Sequence, residues 1–169
     1  DIRECIGCNI CVSGDFQGHP MRCTQNPTVG EEWRKGWHPE TIAAKGSDAQ
    51  VLVVGAGPAG LEATRALGER GYNVMLAEAT RDLGGRVTRE SQLPGLNELA
   101  RVRDYRVQQI ERITNVKLFR ESEMTVESVL EVAADHVVIA TGARWRRDGV
   151  RPVPTLCAGT DGTTGDESW

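Results

Sequence analysis

The sequence holds no run of apolar residues approaching 18, which leaves no candidate for a transmembrane helix. No basic segment followed by an apolar stretch stands at its N-terminus, so no signal peptide is visible. Positive charge is not in surplus: 20 Lys and Arg face 24 Asp and Glu, for a net charge of −4. That balance argues against a general nucleic-acid binder and against a polybasic membrane adhesin. Nineteen Gly and seven Pro follow no period, which excludes a collagen-like or low-complexity chain. There is no internal repeat, no Ser/His/Asp set and no paired-carboxylate site. What remains is 39% hydrophobic and 26% charged over 169 residues, enough for one ordinary domain with an appendage. The expected setting is cytoplasmic, with no nucleic acid and no membrane among the partners.

Three stretches differ in composition. Residues 1–46 carry four of the five Cys and few apolar residues, and they read as loops and short turns that need a cluster or a neighbouring domain. Residues 47–148 alternate apolar runs with helical patterns. Residues 149–169 are rich in Gly, Thr, Pro and Asp and read as an irregular or disordered tail. Within the middle stretch, residues 50–54 form a short apolar run rich in β-branched residues, as expected of a strand covered on both faces. Residues 58–70 look helical, with Gly71 as the stop. A second strand is expected at 72–78. Leu96, Leu99, Val102, Arg106, Ile110 and Ile113 then share one face of a longer helix ending at Asn115. A third strand (116–119), a brief helix (126–132) and a fourth strand (136–140) follow. Strands alternating with helices predict an α/β fold with a parallel, partial Rossmann-like sheet behind a loop-rich metal segment.

Gly55-Ala56-Gly57-Pro58-Ala59-Gly60 is GxGxxG, a weak signal alone. Here it follows an expected strand and opens an expected helix, and Glu78 lies 18 residues beyond Gly60. Gly55 permits the tight turn, Gly57 admits a pyrophosphate to the backbone, and Gly60 lets the helix pack on the strand. The free N–H groups and positive end of that helix then hold the anion. Glu78 can accept both hydroxyls of an adenosine ribose, and its charge repels a 2′-phosphate. FAD, NAD and ADP remain open, with NADP disfavoured. Gly84-Gly85, followed by Arg86, and Thr141-Gly142 after the fourth strand would let backbone pass close to such a ligand.

Cys5, Cys8 and Cys11 stand at two-residue gaps, and Cys23 follows after eleven intervening residues. Three thiolates from one loop with a fourth from further along suit a 4Fe-4S cluster. Zinc sites favour two CxxC knuckles, and no second one exists, although His19 and His38 are available. Zinc and redox thiols stay open as alternatives. Arg3 and Arg22 lie beside the ligands in sequence, where they could raise the potential of a cluster. Trp33 and Trp37 are expected to pack the metal segment onto the sheet. Cys157 has no partner.

The segments CIGCNICV (5–12), PMRCTQNPTVGEEWRKGWHPE (20–40), VLVVGAGPAGLEATRALGERGYNV (51–74), DLGGRVTRESQLPGL (82–96), RDYR (103–106) and HVVIATGARW (136–145) resemble the trimethylamine, dimethylamine and histamine dehydrogenase family of iron–sulfur flavoproteins. The wider superfamily includes 2,4-dienoyl-CoA reductase. The resemblance covers about residues 2 to 149. It implies a 4Fe-4S cluster on Cys5, Cys8, Cys11 and Cys23, and ADP or FAD held around Gly55, Gly57, Pro58, Ala59, Gly60, Glu78, Gly85, Arg86, Thr141 and Gly142. It also implies covalently bound FMN in a barrel domain or subunit, an external carrier such as an electron-transferring flavoprotein, and a possible homo-oligomer in the parent. A barrel needs about 200 or more residues, so the FMN and amine site are expected elsewhere and this chain, which opens on Asp1, is expected to be a central piece. The expected function is an electron-transfer segment that carries no catalytic residue of its own. The alternatives are a fragment of an NAD(P)H-dependent dienoyl-CoA or enone reductase, and a non-catalytic nucleotide- and zinc-binding module.

Overall fold

The structure, a computed structural model, describes residues 2–30, 33 and 42–143. Trp37, His38, Cys157 and the tail expected at 149–169 lie outside the described residues. Among the described residues, no helix is long and apolar enough to cross a membrane.

Four strands, β1 (Gln50–Val54), β2 (Asn73–Ala77), β3 (Val116–Phe119) and β4 (His136–Ile139), form one sheet in the order β3-β2-β1-β4. Every pairing is parallel. Register places Val53 beside Leu76 and Val138, and Leu76 beside Leu118. That row meets Leu61 of α2 (Pro58–Glu69) and Ile110 of α4 (Ala100–Arg112) in the buried core. The expected α/β, partial Rossmann-like fold is therefore present. The central strand β1 is buried through Val51, Leu52 and Val53, as a strand covered on both faces should be. Edge strand β4 is less covered, with Ile139 at 78% exposure.

Helix α2 stops where the sequence indicates. Gly71 takes φ +95°, and Asn115 Nδ2 donates to the Gly68 carbonyl at 2.9 Å, which satisfies part of the helix end. Helix α5 (Val126–Val132) opens on Thr125, whose Oγ1 accepts from the Ser128 N–H at 3.2 Å. A 3-10 turn (Asn97–Leu99) precedes α4.

Two elements depart from expectation. The first 46 residues are not only loops, because α1 spans Ile10–Phe16. Residues following Gly85 form a further short helix, α3 (Arg86–Glu90). Helix α1 buries no residue and its N-cap Asn9 is left-handed, so neither an apolar stripe nor a capping side chain announces it. Trp33, expected to help pack the metal segment onto the sheet, is 63% exposed.

Cation-bearing side chains fasten that segment. Arg101 donates to the Cys5 carbonyl at 2.6 Å and pairs with Glu4 at 3.1 Å. Arg3 donates to the Gln25 carbonyl at 2.6 Å and lies 4.5 Å over the Tyr105 ring. Arg106 is 6% exposed; it donates to Gln25 Oε1 at 3.0 Å and pairs with Glu62 at 2.6 Å. Glu62 also pairs with the buried Arg65 at 2.6 Å. Burial resists charge on Glu62, yet the Arg65 hydrogen bond and the nearby Arg106, Arg65 and Arg3 charges hold its carboxyl below the usual carboxylate range. Arg106→Ala strands buried Gln25 Oε1 while leaving Arg65 for Glu62. Urea unfolding is expected to show a loss of roughly 1–3 kcal/mol.

Candidate functional site

The nucleotide motif occupies the turn between β1 and α2. Gly55 has φ +99°, and a Cβ there would stand 2.6 Å from the Ala140 carbonyl oxygen and 3.1 Å from Thr141 Cα. The turn is thereby drawn against the end of β4, and Thr141-Gly142 comes beside it. A Cβ on Gly60 would collide with the Gly55 carbonyl, so only glycine permits this closeness between helix and turn. Above Gly57 the space is open, with nothing within 4 Å of an added Cβ.

Pro58 supplies the preset first helical position, and α2 has neither a side-chain cap nor an acidic residue in its first turn. The uncompensated N–H groups beginning at Ala59 and Gly60 therefore face the open side with the positive end of the helix. The Gly84-Gly85 loop closes the other wall. Gly84 N–H donates to the Ala56 carbonyl at 2.8 Å, and a Cβ on Gly85 would lie 3.4 Å from Gly57 Cα. This concavity of small residues with a positive end fits a pyrophosphate. Arg86 follows at the start of α3, where it pairs with Glu90.

Glu78 ends β2 beside the same turn. Its Oε2 accepts from the Ala56 N–H at 2.7 Å, and its Oε1 accepts from the Thr80 N–H at 3.0 Å and from Thr80 Oγ1 at 2.9 Å. Partial burial opposes the charge, but the main-chain donors of Ala56 and Thr80 and the Thr80 hydroxyl outweigh it and hold the carboxyl below its ordinary range. The sequence pointed to Glu78 but not to these partners. Only Thr80, a short hydroxyl residue two positions on, was a signal of the local turn.

The four cysteines of the first stretch are free thiols, Cys5 and Cys8 exposed and Cys11 and Cys23 half-buried. Cys11 lies on α1 and the others on loops. The two parts of the motif meet: Cys8 Sγ is 3.1 Å from Thr24 Oγ1, next to Cys23. Gly7 N–H donates to Cys5 Sγ at 3.3 Å and Gln25 N–H to Cys23 Sγ at 3.3 Å. Thr24 and the Ile10 N–H hold the Cys8 thiol below its ordinary range. Even so, among the described residues no three Cys, His, Asp or Glu side chains are gathered closely enough to hold a metal ion. The donor set itself, free thiols with N–H donors on two sulfurs, suits an iron–sulfur cluster, since hydrogen bonds to sulfur stabilise thiolate charge.

The fold is a partial Rossmann-like one, and the chain belongs to the pyridine nucleotide-disulphide oxidoreductase family, whose model matches residues 49–165. Particular relatives narrow the class. The chain is 47% identical over 165 residues to dimethylamine dehydrogenase of Hyphomicrobium sp. (strain x), which covers 91% of this chain and 22% of that protein. Histamine dehydrogenase from Rhizobium sp. 4-9 matches with a TM-score of 0.81 at 64% identity, over 89% of this chain and 22% of its own. A 2-naphthoyl-CoA reductase matches with a TM-score of 0.77 at 35% identity, over 86% of this chain and 22% of its own. The resemblance to amine dehydrogenases thus holds, and the chain spans about a fifth of the length of these relatives.

Two outcomes follow from the cradle. Gly60→Ala forces α2 away from the turn, and thermal or urea unfolding is expected to register a loss of roughly 1–3 kcal/mol or more. Because the folded state lowers the Glu78 carboxyl, its contribution is complete above the ordinary carboxylate value and disappears as pH falls through the folded value. The stability gap between the wild type and Glu78→Gln should therefore be open at neutral pH and close well below about pH 4.

Proposed function

We propose that this chain is the electron-transfer segment of an FMN-dependent, amine dehydrogenase-like oxidoreductase, relaying electrons from a barrel-bound FMN outside the chain to an external carrier such as an electron-transferring flavoprotein. In this reading residues 1–46 form the cluster segment and 47–148 the ADP- or FAD-binding domain. Cys5, Cys8, Cys11 and Cys23 hold a 4Fe-4S cluster, which supplies one-electron chemistry when bound. The Gly7 and Gln25 N–H groups stabilise the charge of two of the thiolates. Thiolates without a cation repel one another, and metal binding completes such sites as it folds them. The turn from Gly55 to Gly60 and the start of α2 seat the pyrophosphate, Glu78 takes the ribose, and Gly85, Arg86, Thr141 and Gly142 border the nucleotide.

The observation that carries the reading is the meeting of the CxxCxxC loop with the Cys23 turn through Cys8 and Thr24, on a segment fastened to the nucleotide domain by Arg3, Arg101 and Arg106. The likeness to 2-naphthoyl-CoA reductase favours a second reading, a reductase segment in which FAD occupies the cradle.

Anaerobic reconstitution with iron and sulfide, followed by EPR of the reduced protein and mass analysis of the released nucleotide, separates these readings. About four irons per chain, a reduced-cluster signal and an ADP mass are expected. An FAD mass selects the reductase. Stoichiometric zinc, or an iron-free and EPR-silent chain, overturns the electron relay.

A further inference from the structure

The acceptor capacity of Glu78 is nearly used up by donors of the protein itself. A carboxylate offers about four lone-pair positions. Three are taken, by the Ala56 N–H at 2.7 Å, the Thr80 N–H at 3.0 Å and the Thr80 hydroxyl at 2.9 Å. A ribose diol that donates both hydroxyls needs two. The two main-chain donors are set by the fold. Ala56 lies in the glycine turn, and the backbone at 78–80 is held to the end of β3 by Glu121 N–H on the Thr80 carbonyl at 3.3 Å and Ser122 N–H on the Glu78 carbonyl at 2.8 Å. Only the hydroxyl rotates without moving backbone. It carries one hydrogen and has a second acceptor at the same distance, the Asp82 carbonyl oxygen, also 2.9 Å away.

Resting on the reading that this cradle binds an adenine nucleotide, we infer that Thr80 is a positioning residue with two settings: its hydroxyl holds the Glu78 carboxylate when the cradle is empty and turns to the Asp82 carbonyl when the ribose diol arrives. The exchange leaves no donor stranded, because the hydroxyl trades one acceptor for another while the ribose fills the position it vacates. It also has a structural consequence. Asp82 leads into Leu83-Gly84-Gly85, the loop whose Gly84 is bonded to Ala56 and whose Gly85 lies over Gly57. The turned hydroxyl therefore adds a tie between the ribose end of the site and the wall of the pyrophosphate end.

The test is calorimetric titration of the whole chain with ADP, 2′-deoxy-ADP and 3′-deoxy-ADP, for the wild type, Thr80→Val and Thr80→Ser. In Thr80→Val the position held by the hydroxyl is open from the start along with the fourth, so the second ribose hydroxyl displaces nothing. Removing a ribose hydroxyl should then weaken binding by a factor roughly fivefold larger than in the wild type, for at least one of the two deoxy analogues. Thr80→Ser, which keeps the hydroxyl, should restore the wild-type ratio; a merely structural role for the side chain would leave the ratios alike in all three. Thr80→Ala serves in place of Thr80→Val should the latter fail to fold. Deoxy ratios in the valine variant equal to or smaller than those of the wild type overturn the two-setting role and leave the nucleotide reading standing. A wild-type chain that binds no ADP overturns both.

Discussion

The contact that the rest of the candidate nucleotide site depends on is the approach of Gly60 to the Gly55 carbonyl. No methyl group fits between them. That closeness sets the first turn of α2 directly over the end of β1, and a second squeeze between Gly55 and Ala140 ties the same turn to β4. From these two glycine contacts the neighbouring geometry follows. Ala56 has its N–H at Glu78 and its carbonyl at Gly84, so one residue of the turn joins the ribose end of the site to the opposite wall. A side chain at Gly60 would push out the helix, and with it the positive end that an anion requires. The cost of Gly in a helix, about 1 kcal/mol against Ala, is small beside the collision it avoids.

The cysteine segment is attached on another principle. Its helix α1 buries nothing, so apolar packing does not anchor that helix. Guanidinium groups do: Arg3 and Arg106 grip Gln25 from main chain and side chain, and Arg101 holds the Cys5 carbonyl. Gln25, 3% exposed, is thus fixed on both sides while its own N–H is turned to Cys23 Sγ. Buried ion pairs contribute less to stability than their Coulomb energy suggests, because desolvation opposes them. What they supply here is direction, since an Arg fork accepts one arrangement of carbonyl and carboxylate where an apolar patch accepts many.

The strands and the nucleotide turn were legible in the sequence because a short apolar run between Gly-rich turns has few alternatives, and β3 and α5 fall where the pattern places them. Arg106 was legible only as a position. Its spacing put it on the same face as Val102 and Ile110, but nothing in the pattern says that a buried arginine will find Glu62 on one side and Gln25 on the other. Helix α1 was hidden by the lack of any stripe, and α3 by Gly84-Gly85, which reads as a turn and serves as one before the helix starts. The lock on Glu78 was hidden for a different reason: two of its three donors are main-chain N–H groups, whose direction depends on the fold and not on residue type.

Helix α2 connects the two candidate sites. Its N-terminus forms the floor of the nucleotide cradle, while Glu62 in its second turn pairs with Arg106, and Arg106 reaches Gln25 beside Cys23. Gln25 and Arg106 are buried and Glu62 is about a third exposed, and a slide of α2 along the sheet would break either the glycine contact at one end or the ion pair at its side. The collision at Gly60 limits how far the helix can move toward the turn, and the Glu62–Arg106 pair limits how far it can move away from α4. Steric exclusion and paired charge act in opposite directions on the same helix. The relative placement of the sulfur-bearing segment and the cradle is held between them, although among the described residues no residue of that segment joins the buried apolar core.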